Sequence, residues 1–173
     1  VDAFGGAQDQ RNWSAEKGLS DFDLRHRLVT SFLAELPAPK SGPAKWLLGG
    51  WQVNGIFSLN SGRPVNVVSG TDRAFTGAGT QRPNLIGDPV LDPNRSRADL
   101  IRRYFNPAAF VLPAAGTFGN SGRNTLIGPG SYNLDSSLFR MFTLRERLKL
   151  QFRAEFFNTF NNPNFSGLVA NIS

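Results

Sequence analysis

LKLQFRAEFFNTFN, residues 148–161, is the stretch that decides the fold. Laid out as an extended chain, Leu148, Leu150, Phe152, Ala154, Phe156 and Phe160 fall on one side, interrupted by Asn158. Lys149, Gln151, Arg153, Glu155, Thr159 and Asn161 fall on the other, with Phe157 the exception. Alternation with a period of two is the pattern of a strand, because a helix would mix the two sets. The stretch is also long. Strands of ordinary domains run to ~5–6 residues, whereas a tilted strand that crosses a membrane needs ~9–11.

Three further stretches alternate in the same way. Phe22, Leu24, Leu28, Thr30, Phe32, Ala34 and Leu36 stand against Asp23, Arg25, Arg27, Ser31 and Glu35. Trp51, Val53, Gly55, Phe57 and Leu59 stand against Gln52, Asn54, Ser58 and Asn60. The set Leu134, Ser136, Leu138 continues to Phe142 and Leu144 only by passing over Arg140. Either a β-bulge or an arginine reaching toward an interface accounts for that break. The expected strands are therefore 22–36, 47–62, 132–144 and 147–161, paired in sequence as an antiparallel meander, with a short extension near Val65–Ser69.

Connections alternate in character too. TLRER, before the last strand, is a tight polar turn, and PAPKSGPAK joins the first two strands. Residues from about 70 to 130 are rich in Gly and Pro and show no sustained period. A loop of that length counts against a compact soluble domain, but outer-membrane barrels combine short periplasmic turns with long extracellular loops. The fold class expected is all-β: long transmembrane strands forming part of a large outer-membrane β-barrel. On that reading Leu150, Phe152 and Phe156 face lipid, and Gln151, Arg153 and Glu155 face the lumen. Trp46, Trp51 and Phe160 mark interfacial aromatic girdles. The competing reading is a soluble or surface-exposed β-sheet binding module, an adhesin or carbohydrate-binding domain, in which one apolar face per strand is equally expected.

Composition closes other routes. The chain has no Cys, so it has no disulfide framework and no thiol nucleophile, and its single His26 cannot build a multi-histidine metal site. A net charge of +6 would suit nucleic acid, but the basic residues are scattered and form no recognition signature. Asp21 and Asp23, which flank Phe22, share a strand face but lack a nucleophile or second base beside them, and are read as a solvated rim. His26 sits between Arg25 and Arg27, and no catalytic role is expected of it. Asp88, Asp92, Asn94 and Asp99 have a calcium-loop composition without calcium-loop spacing. GTFGNSGRNTLIGPG, from Gly116, is Gly-rich but lacks the lysine and strand-to-helix context of a phosphate cradle. No enzymatic activity, metal or cofactor is expected. The polar, Gly-rich opening is not a signal peptide, so the start of an exported protein is expected elsewhere.

Several blocks then take on a family likeness. SDFDLRHRLVTSF, GGWQVNGIFSLNSGRPVNV, RPNLIGDP, YFNPAAF, GTFGNSGRNTLIGPGSYNLDSSLFR and RLKLQFRAEFFNTFNNPNF resemble the C-terminal barrel of TonB-dependent receptors. The likeness is to the Oar-like group, which carries a carboxypeptidase-regulatory-like domain, and it runs from about Ser20 to Phe165. It implies a plugged barrel of about 22 strands. It further implies uptake of a large ligand across the outer membrane, driven through TonB. The partners implied are membrane lipid, the rest of the barrel with its plug, and the TonB complex. The plug, the TonB-contacting segment and the terminal strand are expected to lie outside this chain.

Overall fold

Alternating side chains on four long segments produce one antiparallel sheet whose strands lie in the order of the chain. A computed structural model describes residues 6–77, 81–165 and 167–173, which divide into two units. The sheet unit comprises His26–Ser61 and Gly130–Asn164. Its elements are β1 (Arg27–Glu35), a short helix α1 (Pro43–Leu48) and β2 (Trp51–Asn60). In the other unit the chain adds β3 (Pro64–Val65), β4 (Asn84–Leu85), α2 (Arg97–Arg102), β5 (Phe110–Val111) and β6 (Leu126–Ile127). It then returns to the sheet through β7 (Ser131–Arg145) and β8 (Leu148–Phe156).

The strands differ from the expected bounds for local reasons. β1 starts at Arg27, not residue 22, because Asp23 donates its N–H to the Ser20 carbonyl in a turn. β2 starts at Trp51, not residue 47. Pro43, at the start of α1, supplies a backbone already set for a helix, and Gly50, with φ 74°, turns the chain out of it. β8 ends at Phe156, not residue 161, because Asn158 adopts a left-handed φ of 48° and gives its N–H to the Asp135 carboxylate. The extension near 65–69 reduces to the two residues of β3. Even so the strands are long: β7 has 15 residues, β2 has 10, and β1 and β8 have 9 each.

Register sorts the faces. Paired residues of an antiparallel sheet share a face. Ala34, Val53, Leu138 and Ala154 form one cross-strand row, and Phe32, Gly55, Ser136 and Phe156 form the next. The apolar sets of all four strands therefore lie on one side. Glu35, Gln52 and Phe139 with Arg153 make a row on the opposite side. That side is laced by polar contacts: Gln52 Nε2 donates to Glu35 Oε1 at 3.1 Å, and Ser137 Oγ to Asn54 Oδ1 at 2.7 Å. It is not uniformly polar, since Val29, Leu33, Ile56 and Met141 share it. Phe32 lies over Gly55, where a Cβ would stand 2.6 Å from its ring. Among the described residues, no large hydrophobic side chain of the sheet is fully buried, and Leu150, Phe152 and Phe156 are all about half exposed.

The break at Arg140 is neither a bulge nor an irregularity. Arg140 pairs in register with Trp51 and Phe152, and the bulge falls between Thr143 and Arg145, next to the two-residue turn into β8. The extra residue is taken up where the ladder is ending and the tight turn demands extra twist.

The second unit holds the hydrophobic core of the described residues: Val67, Phe105, Ala109, Phe110, Leu126 and Ala170. Phe105 and Phe110 meet edge to face, 5.9 Å between ring centres. The stretch expected as an unstructured loop near 70–130 is thus folded, with β3 on β6 and β4 on β5. The closing residues take part as well, since Val68 N–H bonds Ala170 O and Ile172 N–H bonds Val68 O. Gly119 passes so close to the next segment that a Cβ there would lie 2.0 Å from the Arg82 carbonyl. Backbone cannot rotate away, so Gly119→Ala is expected to open this unit and leave the sheet intact. Limited proteolysis checks it: new cleavage within residues 62–129 is expected, with 26–61 and 131–156 still protected.

Candidate functional site

Arg82 organises the second unit. Its guanidinium meets Glu16 in a two-pronged pair at 2.8 and 2.9 Å, and its Nε donates to Ser121 O at 2.9 Å. Nη2 also donates to Ala15 O at 3.0 Å, and the Arg82 backbone N–H reaches Gln8 Oε1. Gln8 closes the circle by donating to Gly119 O and to Glu16. The Arg82 side chain is only 3% exposed, so an incomplete set of partners would be costly. Burial alone would raise the Glu16 carboxyl, but the hydrogen bonds and charge of Arg82, with help from Gln8 and Arg123, hold it below its usual range.

A second knot lies beside the first. Asp21 accepts from Arg123 at 3.3 Å and from Asn124 Nδ2 at 2.5 Å, and the same amide nitrogen donates to Leu19 O at 2.7 Å. Asp21 and Asp23 are therefore not a pair on a strand rim. Asp21 ties the opening segment to residues 123–124, and Asp23 belongs to the turn that precedes β1. A third knot is built on Gln81, which is fully buried. Its Oε1 accepts from the N–H groups of Arg73 and Ala74, and its Nε2 donates to Asp72 and Thr76. The backbone bond from Gly77 leads the contacts that keep the Asp72 carboxyl low.

The first two knots border a cleft of about 400 Å³, lined by Arg63, Asn66, Arg123 and Asn124 with aliphatic Val65 and Leu168 among others. It is a concave surface of mixed polar and aliphatic character. His26 closes the ladder of the sheet, its N–H donating to Ser61 Oγ and its carbonyl accepting from Ser61 N–H. The acidic residues weighed as a calcium loop are spent locally. Asp88 Oδ1 accepts from Val90 N–H, Asp92 Oδ1 from Asn94 N–H, and Asp99 reciprocates with Ser96 at the start of α2. The Gly116–Gly130 stretch supplies Gly119, Arg123, Asn124 and β6 to the second unit.

On the sheet, Arg140 reaches the end of α1. Its guanidinium donates to the Trp46 and Leu47 carbonyls and lies 4.2 Å above the Phe142 ring. A cation at a helix C-terminus answers carbonyls left without helical partners, and the aromatic face adds a further attraction. Around it cluster Trp46, Trp51, Phe142 and Phe152, with ring centres 5.6–6.4 Å apart. Trp46 stands on α1, while Trp51 opens β2. Phe160 lies beyond the other end of β8 and is exposed. Gln151, Arg153 and Glu155 share the face opposite Leu150, Phe152 and Phe156, with Arg153 and Glu155 3.3 Å apart. Alternation marked that face. Nothing in it marked Arg82 or Asn124, whose partners are distant in sequence, nor Gln81, whose partners lie five to nine residues before it in a stretch with no sustained period.

Long antiparallel strands, one shared apolar face and no sheet core of its own define a segment of an outer-membrane barrel. Among the described residues no helix is long and apolar enough to cross a membrane, and the apolar surface is presented by strands. The chain matches the outer membrane beta barrel domain over residues 1–173 and belongs to that family. Its location is the cell outer membrane. No curated protein and no solved structure matches it.

Proposed function

We propose that this chain is part of the barrel of a TonB-dependent receptor of the Oar-like group, serving uptake of a large ligand across the outer membrane. The observation that carries the proposal is the ordered series of blocks from SDFDLRHRLVTSF to RLKLQFRAEFFNTFNNPNF, spanning about Ser20 to Phe165. The exposed apolar face supports it, because such a face is stable against lipid and a liability in water. Leu150, Phe152 and Phe156 face lipid on this reading; Gln151, Arg153 and Glu155 face the lumen, and the Trp46–Trp51 cluster sits at an interface. β1 and β8 each have one neighbour within the sheet, and their free edges pair with the remaining strands of the same barrel. The role is recognition and passage, with no catalytic step, no cofactor and no nucleic acid. The other partners are the plug and the TonB complex.

The test uses the complete reading frame that contains this chain, expressed in a Gram-negative host. The protein is expected in the outer-membrane fraction and to retain the periplasmic domain of TonB on an affinity column. Recovery in the outer membrane without any retention of TonB overturns the receptor reading and leaves a barrel of another function.

A further inference from the structure

We propose that the cleft of the second unit binds a small aliphatic carboxylate that carries an N–H donor, the chemistry of the C-terminal end of a short peptide. About 400 Å³ falls within the ~300–1,000 Å³ of ligand pockets. Charge on its walls is largely matched: Glu16 is bound to Arg82, and Asp21 to Arg123 and Asn124. Arg63 differs. It is exposed, it lines the cleft, and it has no carboxylate partner among the described residues. A guanidinium in that position favours an anionic group, and a carboxylate matches its planar fork.

Asn124 supplies the second requirement. It is 3% exposed and lines the cleft, and both bonds from its Nδ2 go to fixed acceptors, Leu19 O and Asp21 Oδ1. Those two acceptors fix the amide orientation, so the other atom is the oxygen. That Oδ1 is buried and takes no donor among the described residues. Buried acceptors are paired in folded proteins, by protein, water or ligand, and an N–H of the ligand completes this one. The body of the ligand follows from the remaining wall. Val65, Leu168 and Ala170 are aliphatic, and no described residue lining the cleft is aromatic. Sugar rings and bases favour aromatic platforms, so an aliphatic side chain is the better fit.

The assignment rests on the receptor reading for its purpose, but its test needs neither TonB nor transport, so the two readings fail separately. The probe is N-acetyl-leucyl-alanine, titrated calorimetrically into the complete protein that contains this chain, in detergent micelles, beside its C-terminal amide and the ester analogue that lacks the internal N–H. The acid is expected to bind, and the amide and the ester each to bind at least about tenfold more weakly. Arg63→Gln is expected to remove the preference for acid over amide, and Arg63→Lys to restore part of it. Proteolysis of residues 62–129 in Arg63→Gln should match the parent, because Arg63 has no described side-chain partner. Equal binding of acid and amide overturns the proposal, as does an unchanged acid affinity in Arg63→Gln or an absence of binding at millimolar probe.

Discussion

Leu138→Arg is expected to destabilise the barrel by roughly 2–4 kcal/mol, while Gln151→Arg costs ~0–1. Leu138 is the middle residue of the longest strand and shares its row with Ala34, Val53 and Ala154. An arginine there projects from the centre of the apolar face, where lipid offers its charge no partner. Gln151 lies on the opposite face, beside Arg153 and Glu155, among groups that are hydrated or hydrogen-bonded to one another. Phe152 is a poorer place for the same experiment. Its row contains Trp51 and Arg140, so a new arginine meets an aromatic cluster that already holds a cation close to the end of the strands. Reversible unfolding of both variants in lipid vesicles measures the difference. Equal losses, or a greater loss for Gln151→Arg, would show that the face assignment is inverted.

Glu16→Gln carries the other large expectation, about 3–5 kcal/mol against the second unit. Glutamine keeps the shape of the side chain but removes its charge, and leaves the Arg82 guanidinium buried without a counterion. The partners that remain, Ser121 O and Ala15 O, are neutral carbonyls. Hydrogen exchange reads the result: amides of residues 81–85 and 119–124 should lose protection, and those of β2 and β7 should not. The same pair gives this unit an acid limit. Because the folded Glu16 carboxyl is held below its ordinary value of 4.5, the stability it contributes is complete above that value. It is lost as pH falls through the lower folded value. Parent protein should therefore lose protection in the 62–129 region on acidification, and Glu16→Gln, which has no such group to protonate, should lose less. Identical acid profiles for the two would remove Glu16 from the account.

How far each of these features is legible in the amino-acid sequence depends on the range of the interaction behind it. Side chains of a strand alternate whatever lies around it, so the four strands, their order and their apolar face follow from period two alone. The tight turn between β7 and β8 is equally local, two polar residues between alternating runs. Strand limits are less legible, because alternation continues past the point where a turn or a left-handed asparagine ends the ladder. Asn158 and the Ser20–Asp23 turn illustrate this, each interrupting a run whose hydrophobic pattern does not change.

Arg140 marks the boundary between the two kinds of information. Its place on the apolar face follows from the sequence. Its resolution, a guanidinium spent on the carbonyls of α1 and on aromatic faces, depends on a helix more than ninety residues earlier in the chain. Much of the second unit lies beyond local reading. Gln8 to Gly119, Glu16 to Arg82 and Asp21 to Asn124 are pairings between segments with no shared period, and they join residues that a linear scan reads as loop. Irregular backbone has no repeat to advertise its contacts; its polar groups are satisfied one by one, by whichever side chains tertiary folding brings near. The sequence by itself determined the barrel strands, because lipid and water sort side chains residue by residue. Tertiary structure alone decided that the stretch between β2 and β7 is a folded unit with a cleft, because that depends on which distant donors and acceptors meet.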